Sequence, residues 1–232
     1  MQIYQLSPTI VVRVKDEIVK IFDSADECRT EADRLNKVVL PLVDRSHSGD
    51  YEMSVVKVVS SVKNILIMEK AQGVSIVKSK NMRLLVNLVG GYLAKFHQNE
   101  FNIDGISSPR LFGDFSIDHV FIDSDHKKIS TIDPGGNFMV IGNQLEDVAR
   151  FLFSVTESFR YRPLICCKVL KAFLSGYQIN REVELCELKE VLDFRKKRSI
   201  VKYKLQKSPI KALLGVLILN YNRLVIKMVL KC

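Results

Sequence analysis

The sequence predicts an α+β fold in which strands gather early in the chain and helices follow. The chain opens with strand-like apolar runs, and after Lys80 its apolar residues recur at helical spacing instead. Leu84, Leu85, Leu88, Tyr92 and Phe96 form one such series, and Val148, Phe151, Leu152 and Val155 another. Segregated strands and helices indicate α+β architecture. With 232 residues and 47% hydrophobic content, the chain can bury a sizeable core, as one domain with two lobes or as two small domains.

Ile3–Leu6 and Thr9–Val14 read as strands joined by a Ser7-Pro8 turn. Asp44–Asp50 reads as a surface loop of the first lobe, with His47 exposed in it. Val120–Ile122 and Ile129–Ile132 form a predicted β-hairpin across the polar turn Asp123–Lys127. Asp114 precedes the hairpin and Asp133 follows it, so the hairpin can bring both carboxylates to one edge. Such a pair suits a proton acceptor and a divalent-cation ligand, although ordinary turn chemistry also places acids there.

This segment resembles the aminoglycoside phosphotransferases, the choline kinases and the small lipopolysaccharide sugar kinases. Those families carry a His-Gly-Asp-x-x-x-x-Asn loop, a hairpin, then Ile-Asp-Phe-Gly or a variant. Phe112-Gly113-Asp114 matches the first element, and Ile132-Asp133-Pro134-Gly135 matches the second. Upstream, Tyr92–His97 resembles the end of the helix before the catalytic loop, and Ile65–Gly73 the strand and hinge that line an adenine pocket. Glu17–Phe22 is similar to the strand carrying a phosphate-binding lysine, and Arg29–Leu35 to the helix carrying its glutamate partner. Glu146–Leu152 resembles the helix that follows the metal-binding aspartate. These matches run in family order over residues 10–155.

The resemblance implies a small two-lobed protein-kinase-like phosphotransferase fold. Residues 1–73 would form the β-rich nucleotide-binding lobe and hinge, and 74–192 the helical catalytic lobe. It implies ATP with Mg²⁺, or Mn²⁺, as cofactors. Lys20 would hold the nucleotide phosphates, Glu31 would orient Lys20, and Glu69 and Ala71 would line the adenine pocket. Asp133 would bind the metal, and Asp114 would take the acceptor hydroxyl.

Three departures bear on activity. His119 stands where the families have a metal-binding asparagine. Imidazole suits manganese or zinc better than magnesium, which prefers oxygen. Asp118 offers oxygen if the backbone shifts by one residue, or His119 simply caps the hairpin. No glycine precedes Gly49, so a glycine-rich phosphate loop is absent. Phe112 replaces a histidine that braces the loop. A catalytically weak relative, acting as a nucleotide-binding or membrane-associated scaffold, is the alternative reading.

The charge is confined to one end. Eleven of 35 basic residues but one of 26 acidic ones fall in 193–232, so the chain's whole excess of +9 resides there. Arg195–Arg198 opens this stretch, and Ser208-Pro209 marks a helix start. Asn220, Arg223, Lys227 and Lys231 share one side of that helix, and its charge-free run, Ala212–Asn222, is too short to span a bilayer. A polybasic cluster followed by an amphipathic helix is expected to lie in an anionic membrane surface through residues 195–232, or to pack its apolar face on the helical lobe. Aromatic residues are few there, and no recognition motif supports a nucleic-acid partner. Five cysteines without metal-ligand spacing point to a reducing compartment, and the chain does not open like a signal peptide. The expectation is a cytoplasmic enzyme peripheral on the inner membrane face. Its acceptor would be a sugar or glycan hydroxyl.

Overall fold

The computed structural model describes residues 2–6, 9–36, 47–48, 51–98, 101–103, 106–108, 111–123, 127–132, 143–180, 185–204 and 209–230. Its first lobe is built on an antiparallel sheet. Strands β1 (Gln2–Leu6), β2 (Thr9–Val14) and β3 (Glu17–Ile21) continue into β7 (Ile65–Glu69) and then β6 (Val58–Val62), in the order β1-β2-β3-β7-β6. The Ser7-Pro8 turn lies outside the described residues. The β2–β3 and β6–β7 turns each use a lysine at positive φ, Lys15 at 53° and Lys63 at 52°, in place of the glycine or asparagine such tight hairpins favour.

Helix α1 (Ala25–Arg34) starts where the Ser24 hydroxyl accepts a hydrogen bond from the Glu27 N–H at 3.2 Å. It buries Cys28 and Ala32, and Leu35 just beyond its end, against β6 and β7. Glu31 lies beside this buried stripe, at 100° per residue, and reaches Lys20 of β3.

A second sheet joins the lobes. It runs β4 (His47–Ser48), β5 (Tyr51–Val55), β12 (Lys128–Thr131), β11 (Val120–Asp123), β8 (Val74–Ser75). The hairpin β11–β12 pairs Val120 with Thr131 and Ile122 with Ile129, as its alternation predicts. β5 lies parallel to β12, with Ser54 and Ser130 hydroxyls 3.1 Å apart. The His47–Ser48 stretch, expected as loop, forms a short strand paired with Tyr51–Glu52. Its flanking residues and the His47 side chain lie outside the described set. β8 pairs with β11, and Gly73 makes this possible. Its φ is +84°, and a Cβ there would sit 2.0 Å from the Ile122 carbonyl oxygen.

The second lobe is helical: α2 (Met82–Gln98), α3 (Leu145–Ser158), α4 (Pro163–Asn180), α5 (Leu185–Lys204) and α6 (Pro209–Val229). A short hairpin, β9 (Phe101–Ile103) with β10 (Ile106–Ser108), follows α2. Helices α2 and α4 cross so closely that a Cβ on Gly176 would lie 1.9 Å from the Asn87 carbonyl oxygen. Asn87 Nδ2 donates to the Ala172 carbonyl at 3.0 Å across the same crossing. Around them sits an aromatic core of Tyr92, Phe96, Phe112, Phe115, Phe151, Phe173 and Tyr177, with Phe151 stacked on Phe173 at 4.0 Å.

The two last helices pack on this lobe. Leu188 and Leu192 of α5, and Leu219, Val225, Ile226 and Val229 of α6, are buried in the common core. Arg223 of α6 makes an ion pair with Asp193 of α5. Helix α6 is apolar on a second side as well, where Ile210, Leu213, Leu214, Leu217, Leu224 and Met228 are exposed. Among the described residues no helix is long and apolar enough to cross a membrane.

Candidate active site

A cleft of about 800 Å³ opens between the two lobes. Val11, Ile18, Val56 and Met68 line it from the first lobe, and Phe121 and Ile132 from the hairpin. Lys20, Glu31, Glu69, Ala71 and Gly73 line it too. Lys20 projects from β3 and its Nζ lies 3.0 Å from Glu31 Oε1, with only 11% and 12% of the two side chains exposed. A buried ammonium needs such a partner, and the carboxylate fixes where its remaining donors point. Arg13 of β2 also lines the cleft, so the glycine-free β1–β2 hairpin approaches it with a cationic side chain.

The loop after β10 carries Phe112, Gly113 and Asp114. One face of α3 holds it in place. Asp147 accepts the N–H groups of Phe112 at 2.5 Å and of Gly113 at 2.9 Å. Arg150 makes an ion pair with Asp114. Ser154 Oγ accepts the Ile117 N–H at 2.9 Å, and Ser158 Oγ donates to both Asp118 carboxylate oxygens, at 3.2 and 3.1 Å. The spacing i, i+3, i+7, i+11 puts all four side chains on one stripe of the helix. The buried Asp147 carboxylate is further met by His97 Nε2 at 3.0 Å, and His97 Nδ1 by the Tyr177 hydroxyl at 3.0 Å. Phe112 itself packs edge-on against Phe96 and Phe115. The polar brace that a histidine at 112 would supply therefore comes from α2 and α3.

His119 ends a 3-10 turn over Ile117–His119. Its Nδ1 is 3.1 Å from the Asp114 carbonyl oxygen. A carbonyl only accepts, so Nδ1 is the donor, which in a neutral imidazole leaves the lone pair on Nε2. The His119 carbonyl accepts the N–H of Ile132 at 3.0 Å, which places the residue before Asp133 beside the turn. Asp133, Pro134 and Gly135 lie outside the described residues. The exposed Asp118 carboxylate accepts the Ser158 hydroxyl. Among the described residues no cluster of three or more His, Cys, Asp or Glu is placed to hold a metal ion.

A second cavity, of about 290 Å³, adjoins this turn. Asp114, Ser116, Asp118, Arg150, Arg195 and Leu219 line it, and His119 lines both cavities and so marks their junction. Two features here escaped the sequence reading. The α3 stripe was visible as polar residues at helical spacing in an apolar helix, but nothing local names the loop it holds. Arg195 reads in sequence as one residue of a polybasic surface cluster, yet α5 carries it into the cavity. Its guanidinium is held below its ordinary value, first by burial and then by the charge of Arg150.

No family model matches the sequence, and no curated protein matches it significantly. Solved structures do match. An ADP-bound aminoglycoside phosphotransferase superposes with a TM-score of 0.62 at 10% identity, over 97% of this chain and 93% of that one. An amicoumacin kinase in complex with AMP-PNP and Ca²⁺ gives 0.60 at 13% identity, over 96% and 88%. An ethanolamine kinase from Plasmodium vivax gives 0.56 at 11% identity, over 98% and 81%. At these identities the likeness establishes architecture. The chain has the protein-kinase-like phosphotransferase fold, as its motif order implies.

Proposed function

We propose that this protein is an ATP-dependent phosphotransferase that phosphorylates a hydroxyl of a small molecule or glycan. The observation that carries this reading is the buried Lys20–Glu31 pair on the wall of the interlobe cleft. Phosphoryl transfer asks the protein mainly for positioning and charge neutralisation. Lys20, oriented by Glu31, meets the nucleotide phosphates. The apolar walls Ile18, Val56, Phe121 and Ile132 accept the flat base beside Glu69 and Ala71. The cleft volume falls in the ordinary ligand-site range of roughly 300–1,000 Å³. At the far side of His119, Asp114 accepts or orients the acceptor hydroxyl, its carboxylate held by Arg150.

A divalent cation fits the donor chemistry at the junction. With Nδ1 committed to a backbone carbonyl, His119 has the arrangement of a metal-ligating histidine. His119 and Asp133 would hold the ion, and imidazole favours Mn²⁺ over Mg²⁺. Such an ion neutralises charge on the phosphate oxygens when bound. The test is the thermal unfolding shift on adding ATP with Mg²⁺ or Mn²⁺. A metal-dependent rise that Asp133→Ala removes is expected, because a ligand of the folded state raises the midpoint by mass action. No rise with either metal at millimolar ATP would favour the scaffold reading.

The finer proposal is that the acceptor is a sugar of lipopolysaccharide or another surface polysaccharide, met at the inner membrane face. The exposed apolar side of α6, within a stretch (193–232) of net charge +10, supports contact with an anionic lipid surface. Co-sedimentation with anionic but not neutral vesicles is expected, and Leu213→Asp with Leu217→Asp should abolish it.

A further inference from the structure

Within the 290 Å³ cavity the charges do not balance in the way they do elsewhere in the site. Asp114 is engaged by Arg150, Asp118 is bonded by Ser158, and Glu157 is exposed. Arg195 is partly buried and makes no hydrogen bond or ion pair among the described residues. Glu146, Asp114 and Asp147 act on it only through space. These carboxylates offset its charge from a distance but satisfy none of its donors, and a guanidinium withdrawn from water gives up hydration of five N–H donors. It also stands beside a second guanidinium, Arg150, which adds repulsion. A neutral polyol could accept some of these N–H donors but would leave the charge uncompensated.

We infer that Arg195 is a specificity-determining residue which receives an anionic group, a phosphate monoester or a carboxylate, on the acceptor itself. This rests on the phosphotransferase reading, since it places the acceptor beside Asp114. The planar fork of Arg195 matches either oxyanion in a two-point contact. An acceptor gripped there presents a neighbouring hydroxyl to Asp114 across a cavity of monosaccharide dimensions. The substrate is then an acidic or already phosphorylated sugar. The reaction that supplies it must have installed that charge earlier. The last basic stretch thereby acquires a role in acceptor recognition separate from any contact with lipid.

The test is calorimetric titration of the full chain with glucose 6-phosphate, glucuronate and glucose, with the nucleotide cleft filled by excess ADP and metal. ADP binding is titrated separately in each variant. The two anions are expected to bind at least about tenfold more tightly than glucose, the scale of one charge-assisted contact. Arg195→Gln should erase that preference, and Lys197→Gln, an equal loss of charge outside the cavity, should keep it. The difference between the two anions identifies which oxyanion the site takes. Equal affinities for all three sugars, an unchanged preference in Arg195→Gln, or an equal loss in Lys197→Gln would overturn the inference. Absence of ADP binding beside an intact anion preference would count against the phosphotransferase reading alone.

Discussion

On the proposed function, the nucleotide cleft takes its walls from paired strands and the hinge, while the acceptor cavity is lined by the loop of Asp114 and by three helices, α3, α5 and α6. In the first, the buried ammonium of Lys20 has a carboxylate at 3.0 Å. In the second, one guanidinium is paired and another is left without a partner among the described residues. If the proposal holds, the cleft is complete in the protein alone, whereas the cavity is completed by the anion that enters it. Among the described lining residues the two share His119, so the proposal predicts that they can be perturbed separately.

The sharpest test of that separation is Asp114→Asn. Turnover should fall by about 10²–10⁴-fold, the worth of a positioned proton acceptor. The ATP-induced shift in unfolding temperature should stay at its wild-type size. Loss of both together would mean that the two cavities form a single cooperative site.

Asp147→Ala should act on the loop between them. It removes the acceptor of the buried Phe112 N–H and His97 and of the part-buried Gly113 N–H. Unsatisfied buried donors cost about 1–3 kcal/mol each, with partial relaxation, so a loss of about 3 kcal/mol in denaturant unfolding is expected. Turnover of the folded fraction should fall with it. A change below 1 kcal/mol, by contrast, would show that α3 does not hold the loop.

Lys20→Met tests the other side. It leaves Glu31 in the cleft without its ammonium and removes a charge-assisted contact to phosphate. ATP should bind about ten- to a hundredfold more weakly. Binding of anionic sugars beside Asp114 should be unaffected, which would break the comparison if it failed.

The two cavities also differ in how far the sequence discloses them. Lys20, Glu31, Glu69, Ala71 and Asp114 sit on strand, helix, hinge and loop in a fixed chain order. The family resemblance, carried by that order, implies that Lys20, Glu31, Glu69 and Ala71 share a cleft, and all four line it. The hairpin is legible for the same reason, since alternation and a polar turn act locally. Pairing of β5 with β12 is parallel and distant in sequence, and nothing in either strand names the other. The stripe Asp147, Arg150, Ser154 and Ser158 shows a shared face but not the loop it meets. Arg195 is further hidden, because its burial depends on how α5 docks. For α6 the charged positions reveal one polar side, whereas two apolar sides emerge only when the helix is seated with one of them in the core.

That seating suggests the mildest perturbation. The Asp193 carboxyl is held below its ordinary value of 3.8, first by the hydrogen bond from Arg223 and also by the charge of that residue. A depressed carboxylate contributes its stability in full above the unfolded value and loses it as pH falls through the folded one. The contact should therefore hold α5 to α6 unchanged from neutrality to about pH 5 and release below about pH 4. Asp193 is 38% exposed, so solvent screening limits the effect to about 1 kcal/mol or less. Asp193→Asn should then lower the unfolding midpoint by about 2 °C at neutral pH, with the gap to wild type closing in acid. Because α5 and α6 carry Arg195 and Leu219 into the acceptor cavity, the variant should weaken anionic-sugar binding modestly and leave the ATP-induced shift alone. An equal loss at both sites would show that the tail helices support the whole second lobe rather than the acceptor side in particular.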